Sequence, residues 1–516
     1  MHLTGSPACT SSGLGLQGAV RALPRLLNNQ TLSEPLSRAV ERGSLEFSIM
    51  KFKRLARALL REGIEISQDG PVYKVRRASH EGPAAEILLP EGSPLETKAV
   101  KQLVSFASAS HPSGGHVCQA CATPDFHPGN IVPVGCVVAT ADMVIPQAIG
   151  TDINCGMRLD LIDVTVDQFL ARKDELVELL RGDLLLGTRD LPMTPSTLHA
   201  IYEHGAYGWE QELYKNPMGL MARAKDHLAL DAKYIWHQGS FVSDTKWVQD
   251  RIDYSRDVIR DPDLGTVGGG NHFVEIQMVE EVLDYEALQW TWPNLKYGDI
   301  VFMIHTGSRS VGKGIGTRFQ EIAKKKWPKG LKWPEVFPLY NEDAHEYMLA
   351  MGCAANFAAV NRALLSTMVR YRFRQVFGNV DASCFYDVSH NIVTYEDDAF
   401  VHRKGATPAW EGQWVLIPGS MGTSSYVMRG LGNDRFLRSA SHGAGRSRTR
   451  FEMTRKGRPD FDLGLDGVDC VTLREERLWE EAPAAYKDID PIVKIQEEQG
   501  LASPVLRLRP LLTFKS

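Results

Sequence analysis

One cysteine and four histidines, each set in a glycine-rich or polar turn, carry the most legible chemistry in this chain. They stand in Asp152-Ile153-Asn154-Cys155-Gly156, Asn271-His272, His305-Thr306-Gly307-Ser308-Arg309, Ser389-His390-Asn391 and Ser441-His442-Gly443-Ala444-Gly445-Arg446. Thiolate, imidazole and carboxylate together suit a transition metal of borderline softness. Sulfur has several lone pairs, so Cys155 could bridge two cations, with Asp152 close enough for one turn to aim both side chains at the same pair. His272, His305 and His390 could complete two open shells and leave positions for phosphate oxygens. Any one of these histidines taken singly suits a structural hydrogen bond equally well. Their joint recurrence in polar turns favours ligation, and with it a metal-dependent enzyme acting on phosphates.

His442 differs, because glycines and Arg446 surround it. A neutral imidazole nitrogen can attack an α-phosphate and form a phosphoramidate, while arginines and cations stabilise the departing pyrophosphate. The turn Pro418-Gly419-Ser420-Met421-Gly422-Thr423 offers backbone N–H groups and hydroxyls to phosphate, although no Gly-Lys-Ser/Thr element makes it a P-loop. Standing alone it reads equally as a flexible Gly/Ser loop. Asn271 could bond a phosphate oxygen, and Glu275 could accept from the N–H edge of a base.

These residues need a frame, and the sequence suggests one. Short apolar runs end in the polar turns: Ile131 to Pro146 before Asp152, Val301-Phe302-Met303-Ile304 before His305, Cys384 to Val388 before His390, and Trp414 to Ile417 before Pro418. Phe273 to Gln277 follows His272 in the same manner. Strands that end in polar turns place an active cleft over a sheet core, an α/β architecture. A charged helix is expected near 171–181, and a long one over 343–375 capped by Asn341. Small residues from Ala350 to Ala359 would let that helix pack closely, with Asn356, Asn361 and Arg362 either on its surface or lining the cleft. Ile49 to Arg61 reads as a basic amphipathic helix that could grip a nucleic-acid backbone, and Val72 to Val75 as a short strand.

Composition narrows the class. At 516 residues, 43% hydrophobic and 23% charged, this is the balance of a globular protein with a sizeable core. A net charge of -5 means that any polyanion must be held by local basic patches, of which Arg435 to Arg458 is the most concentrated. Eight cysteines are too sparse for a disulfide scaffold, so free thiols in a reducing cytoplasm are expected. Cys118 and Cys121, with His111 and His116 upstream, could form a small zinc site, though a lone CxxC is a weak signal. No apolar stretch is read as approaching the roughly 20 residues that cross a bilayer. Residues 1–47 read as a flexible or non-native extension, and 48–516 as the catalytic domain.

Taken in order, the motifs resemble the RtcB family of GTP-dependent RNA ligases. Besides the turns above, the resemblance rests on Pro124-Asp125-Phe126-His127-Pro128-Gly129, Gly268-Gly269-Gly270-Asn271-His272-Phe273, His402-Arg403-Lys404-Gly405-Ala406-Thr407 and Ala485-Tyr486-Lys487-Asp488-Ile489. It implies an RtcB-like mixed α/β fold with a sheet core and a metal cleft at the strand ends. It implies two Mn2+ ions bridged by Cys155, with Asp152 and His272 on one and His305 and His390 on the other. It implies a GMP carried on His442. The nucleotide would be held by Asn271, Glu275, His390, Asn391, Pro418, Gly419, Ser420, Met421, Thr423, Gly443, Ala444, Gly445 and Lys515, and the RNA by Arg309 and Arg446. The implied substrates are RNA 3'-phosphate or 2',3'-cyclic phosphate ends and 5'-hydroxyl ends, in tRNA splicing or RNA repair, with an archease-like activator as partner and no membrane. Two other readings stay open on the residues alone. One is a metal-dependent phosphodiesterase or end-activating nucleotidyltransferase, the other a catalytically inactive RNA-binding protein.

Overall fold

Runs rich in Val, Ile and Phe that end at Gly, Asn and His become strands, and their pairing decides where the polar ends meet. A computed structural model describes residues 50, 52–80, 82–224, 231–455, 461–465 and 469–516. The chain divides into two units, Met1–Ala58 and Leu59–Ser516, and everything below on packing and sites belongs to the second. The extension expected over 1–47 lies outside the described residues, as do Lys456 and Arg458 of the basic patch. The basic helix is described as helix over 52–61.

An eight-stranded sheet runs in the order Ala382–Ser389, Gly156–Thr165, Asp299–Thr306, Phe273–Val282, Ala502–Lys515, Ser425–Gly430, Trp414–Ile417, with Cys470–Thr472 joined in parallel to Ala502–Lys515. Its register sets the site. Ser389 pairs with Gly156, Gly156 with Thr306, and His305 with Phe273. His390 follows Ser389, Cys155 precedes Gly156, and His272 precedes Phe273. Neighbouring strands lie about 4.8 Å apart, so residues remote in sequence arrive side by side at one sheet edge. A seven-stranded sheet runs Ile64–Asp69, Val72–Arg77, Ala85–Leu88, His116–His127, Val134–Ala141, Ala399–Lys404, Asn391–Glu396. It delivers Asp125, Lys404 and Asn391 to the same region.

The largest core cluster packs the helix Asn341–Phe377 against the eight-stranded sheet through Phe357, Leu364, Phe373, Ile300, Phe302 and Ile304. By length and composition this helix could cross a membrane, which corrects the reading that no stretch approaches that length; 89% of its most apolar window is buried within the protein. Its apolarity is therefore that of a core helix. Three details of the long helices differ from expectation. Tyr340, not Asn341, occupies the N-cap, no side chain bonds it, and Asn341 takes a left-handed φ of 48°. Asn356, Asn361 and Arg362 are neither helix surface nor cleft lining, but buried at 0%, 0% and 1% exposure. The charged helix starts earlier, at Val166, where Thr165 and Gln168 form a reciprocal capping box, and runs to Leu184 with a kink at Arg172. Such a cap contributes about 1 kcal/mol.

The cysteine pair does not assemble. Within His116–His127, Cys118 is exposed while Cys121 is buried at 0% exposure, and among the described residues the group of three or more donors that could hold an ion includes neither. All seven cysteines among the described residues are free.

Candidate functional site

Cys155, His272, His305, His390 and Asp152 converge. Cys155 Sγ lies 3.3 Å from His272 Nε2 and 3.2 Å from His305 Nε2. His305 Nε2 lies 3.2 Å from His390 Nε2, and His272 Nε2 lies 3.0 Å from Asp152 Oδ2. The donor atoms of Cys155, His272 and His305 all fall within 4.8 Å of one another, and all three residues are buried. Lone pairs facing each other at such distances repel unless a proton or a cation sits between them. Burial holds the His305 and His390 imidazoles well below their usual basicity, helped by neighbouring histidines, so both rings are neutral donors. Burial would raise the Asp152 carboxyl, but His272 beside it outweighs this and holds it below the usual carboxylate range. Burial and Asp152 together push the Cys155 thiol well above its ordinary value, so its thiolate needs a cation. The Nδ1 atoms of His272 and His390 are buried without a hydrogen-bond partner. This cluster can hold a metal ion, and its sulfur, nitrogen and oxygen donors fit a borderline divalent cation.

His442 stands beside it, its ring centroid 4.8 Å from that of His390. Its Nδ1–H donates to Asp125 Oδ2 at 2.6 Å, and Asp125 is fully buried. Thr123 Oγ1 donates to the other carboxylate oxygen at 2.6 Å. Burial would raise the Asp125 carboxyl, yet the bonds from His442 and Thr123 bring it below its usual value. The pairing fixes the tautomer and leaves Nε2 with its lone pair. Gly405, at φ 61°, makes room: a Cβ there would meet His442 Cε1 at 3.0 Å and Val134 Cγ1 at 2.3 Å.

A cleft of about 640 Å3 joins these groups; Asp152, Cys155, His305, His390 and His442 line it with Asn271, Asn391, Pro418, Gly419 and the Gly443–Arg446 turn. A narrow side cavity opens among Asn271, Phe273, Glu275, Ser420, Met421, Thr513 and Lys515. There Glu275 accepts from Gln277 Nε2 at 2.7 Å and from Thr513 Oγ1, and Lys515 Nζ stands 5.8 Å over the Phe273 ring. A larger cavity of about 860 Å3 lies at the far ends of Asn391–Glu396 and Ala399–Lys404, lined by Glu396 and Phe400. It brings together no such donor set.

Several expected contacts are already committed. Gly419 N–H donates to Ser425 Oγ and Ser420 N–H to Thr423 Oγ1, so the Pro418–Thr423 turn has fewer free donors than its sequence suggests. Thr423 lines neither cavity. Asn391 is partly structural, bonding Asp152 O and Gly405 N. Arg309 donates to Thr266 Oγ1 and lines neither cavity. Arg446 lines the cleft, but its guanidinium donates to Glu481, Tyr486 and the carbonyls of Arg448 and Glu480. The basic patch is answered by acids remote in sequence: Glu86 for Arg435, Asp397 for Arg438, Glu481 for Arg446 and Arg450. The sequence reading gave no role to Asp125, although a carboxylate in the apolar run Ala120 to Phe126 was its signal. Lys404 was also missed; it lines the cleft, donates to Ile149 O, and burial lowers its ammonium.

Comparison with known proteins decides the family. The family model described as tRNA-splicing ligase RtcB matches residues 102–516. The chain belongs to the RtcB family. It is 33% identical over 443 residues to a tRNA-splicing ligase RtcB of Pyrobaculum aerophilum, covering 76% of this chain and 86% of that protein. A tRNA-splicing ligase RtcB of Thermococcus kodakarensis is 33% identical over 436 residues, covering 75% and 86%. One from Nanoarchaeum equitans is 31% identical over 443 residues, covering 76% and 87%. The mixed α/β fold of the family, with sheet core and cleft at the strand ends, is the fold observed.

Proposed function

We propose that this chain is an RNA ligase that joins RNA 3'-phosphate or 2',3'-cyclic phosphate ends to 5'-hydroxyl ends, in tRNA splicing or RNA repair. The observation that carries the reading is the pairing of partly buried His442 with buried Asp125, which presents one imidazole nitrogen beside a convergent donor cluster. In this reading His442 Nε2 attacks the α-phosphorus of GTP; a P–N bond forms and pyrophosphate leaves. The GMP then passes to the RNA 3'-phosphate, giving an RNA-ppG end. The 5'-hydroxyl of the second RNA attacks that end's 3'-phosphorus, forming the 3',5' bond and releasing GMP. A cyclic phosphate is first opened by water.

Asp125 holds His442 in position and stabilises the imidazolium as its bond to phosphorus forms. Asp152, Cys155, His272, His305 and His390 would hold two Mn2+ ions. When bound, the ions supply charge neutralisation and lower the pKa of an attacking hydroxyl. Asn271 and the Gly443–Gly445 turn face the phosphates. Glu275, Ser420, Met421 and Lys515 would take the guanine in the side cavity, against the Phe273 ring.

Guanine recognition by Glu275 carries a pH signature. Burial pushes this carboxyl up to about 7, although Thr513, Gln277 and Lys515 each pull it down. Its contribution to folding stability is complete below the ordinary carboxyl range and is lost as pH rises through about 7. Binding has the opposite sign, because only the ionised form can accept two N–H groups of guanine. GTP affinity should therefore fall about fivefold between pH 7 and pH 6. Glu275→Gln should bind more weakly with a flat profile. A flat wild-type profile in calorimetry would remove Glu275 from base recognition.

The activity is tested by incubating a 3'-phosphate RNA and a 5'-hydroxyl RNA with Mn2+ and GTP. Joined product that disappears on chelation, on omission of GTP, or in His442→Ala is expected. Activated ends without joining would instead indicate a nucleotidyltransferase, and RNA retention without either cofactor an inactive binding protein.

A further inference from the structure

The helix Asn341–Phe377 supplies no donor to the cluster and no wall to the reaction cleft. Two adjacent polar residues in its apolar middle nevertheless reach the strand ends beside Cys155 and His305, the strand that leads to His390 and the loop that leads to His272. Arg362 Nη1 donates to Asn154 O at 2.8 Å and Thr306 O at 3.1 Å, and Nε donates to Asp387 Oδ1 at 2.8 Å. The Asn154 carbonyl belongs to the peptide bond of Cys155, Thr306 follows His305, and Asp387 lies on the strand that ends at Ser389, just before His390. Asn361 completes the set. Its Nδ2 donates to Thr266 O at 3.0 Å and Gly307 O at 3.3 Å, and its Oδ1 accepts from Thr266 N–H at 3.1 Å. Thr266 opens the loop that leads to His272.

Space has been kept for this arrangement. A Cβ on Gly156 would stand 3.0 Å from the Arg362 guanidinium and 2.6 Å from Val388 O. Charge is balanced as well: Asp387 pairs with Arg362, while Arg158 and Arg370 beneath it pair with Asp160 and Asp231. The guanidinium therefore adds little net repulsion toward cations nearby.

We propose that Asn361–Arg362 is a positioning clamp that sets the spacing of the Cys155, His272, His305 and His390 donor atoms, and hence their affinity for divalent cations. It touches neither ion nor substrate. The inference rests on the metal reading of the cluster. A planar fork reaches three acceptors from two separate nitrogens in fixed directions, an arrangement that an ammonium, with all its donors on one nitrogen, does not reproduce. Groups that orient metal ligands typically contribute 10- to 100-fold in metal affinity.

The test uses the full chain stripped with chelator and titrated with Co2+ alone, following the thiolate–cobalt absorption band. Arg362→Lys and Asn361→Ser should each bind about 10- to 100-fold more weakly, with a shifted band. Ser366→Ala, a buried change one turn along the same helix that removes a bond to Asp160, should leave band and affinity unchanged. A folded Arg362→Lys with wild-type band and affinity, or an equal loss in Ser366→Ala, overturns the clamp. Should Arg362→Lys not fold, Asn361→Ser decides by the same criterion. A wild-type chain with no cobalt band would instead overturn the metal reading itself, and the clamp with it.

Discussion

Replacing Cys155 with serine is expected to lower cation affinity by at least about 100-fold and RNA joining by about 1000-fold or more. Serine is nearly isosteric, but its hydroxyl does not ionise near neutral pH and is a harder donor than borderline cations favour. The effect should be large because Cys155 Sγ contacts both His272 and His305, at 3.3 and 3.2 Å, and so stands at the centre of the donor set. The fold should survive, since the strand pairs from Gly156 to Thr306 and from Gly156 to Ser389 use backbone alone. Metal content after stripping and reloading, together with single-turnover joining rates, measures this. A serine variant that keeps its metal and joins RNA within about tenfold of wild type would show that Cys155 is an ordinary core thiol.

The second large effect falls on a residue that contacts no donor of the cluster. Asp125→Asn should slow nucleotide transfer onto His442 by about 10^3- to 10^4-fold, the scale seen when the orienting carboxylate of a catalytic triad becomes an amide. Asparagine keeps the shape, yet its amide removes the charge and favours the wrong imidazole tautomer. GTP affinity should change by only a few-fold, because the Gly443–Gly445 turn and the side cavity are untouched. Rapid quench of labelled protein gives the transfer rate, and calorimetry gives the affinity. A normal transfer rate would mean that the bond from His442 Nδ1 is merely structural.

The donor residues were legible because each sits where a short apolar run gives way to a polar turn, a local pattern. Their assembly was not. Gly156 pairs with Thr306 and with Ser389, and such long-range register leaves no trace in a single sequence. The Asp125–His442 contact joins a strand of the seven-stranded sheet to a turn 317 residues away and is invisible for the same reason. Ala502–Lys515, which carries Lys515 into the side cavity, gave a weak strand signal because Pro504 and Pro510 fall within it. Both prolines lie beside irregularities in its pairing, where a missing N–H does least harm. Asn361 and Arg362 were polar residues in an apolar pattern, and composition cannot tell a solvated face from a buried clamp. The basic run from Arg435 onward misled in the opposite direction, since its partners Glu86, Asp397 and Glu481 lie outside that run.

One experiment reaches the central claim, that a nucleotide is carried by the imidazole beside the metal cluster. The protein is incubated with Mn2+ and GTP labelled at the α-phosphate, denatured, and the label mapped to a peptide. One acid-labile, alkali-stable label per chain on His442 is the result required, reduced in Asp125→Asn and absent in Cys155→Ser. Label on a lysine, or RNA joined by a chain that never takes up label, would contradict the account.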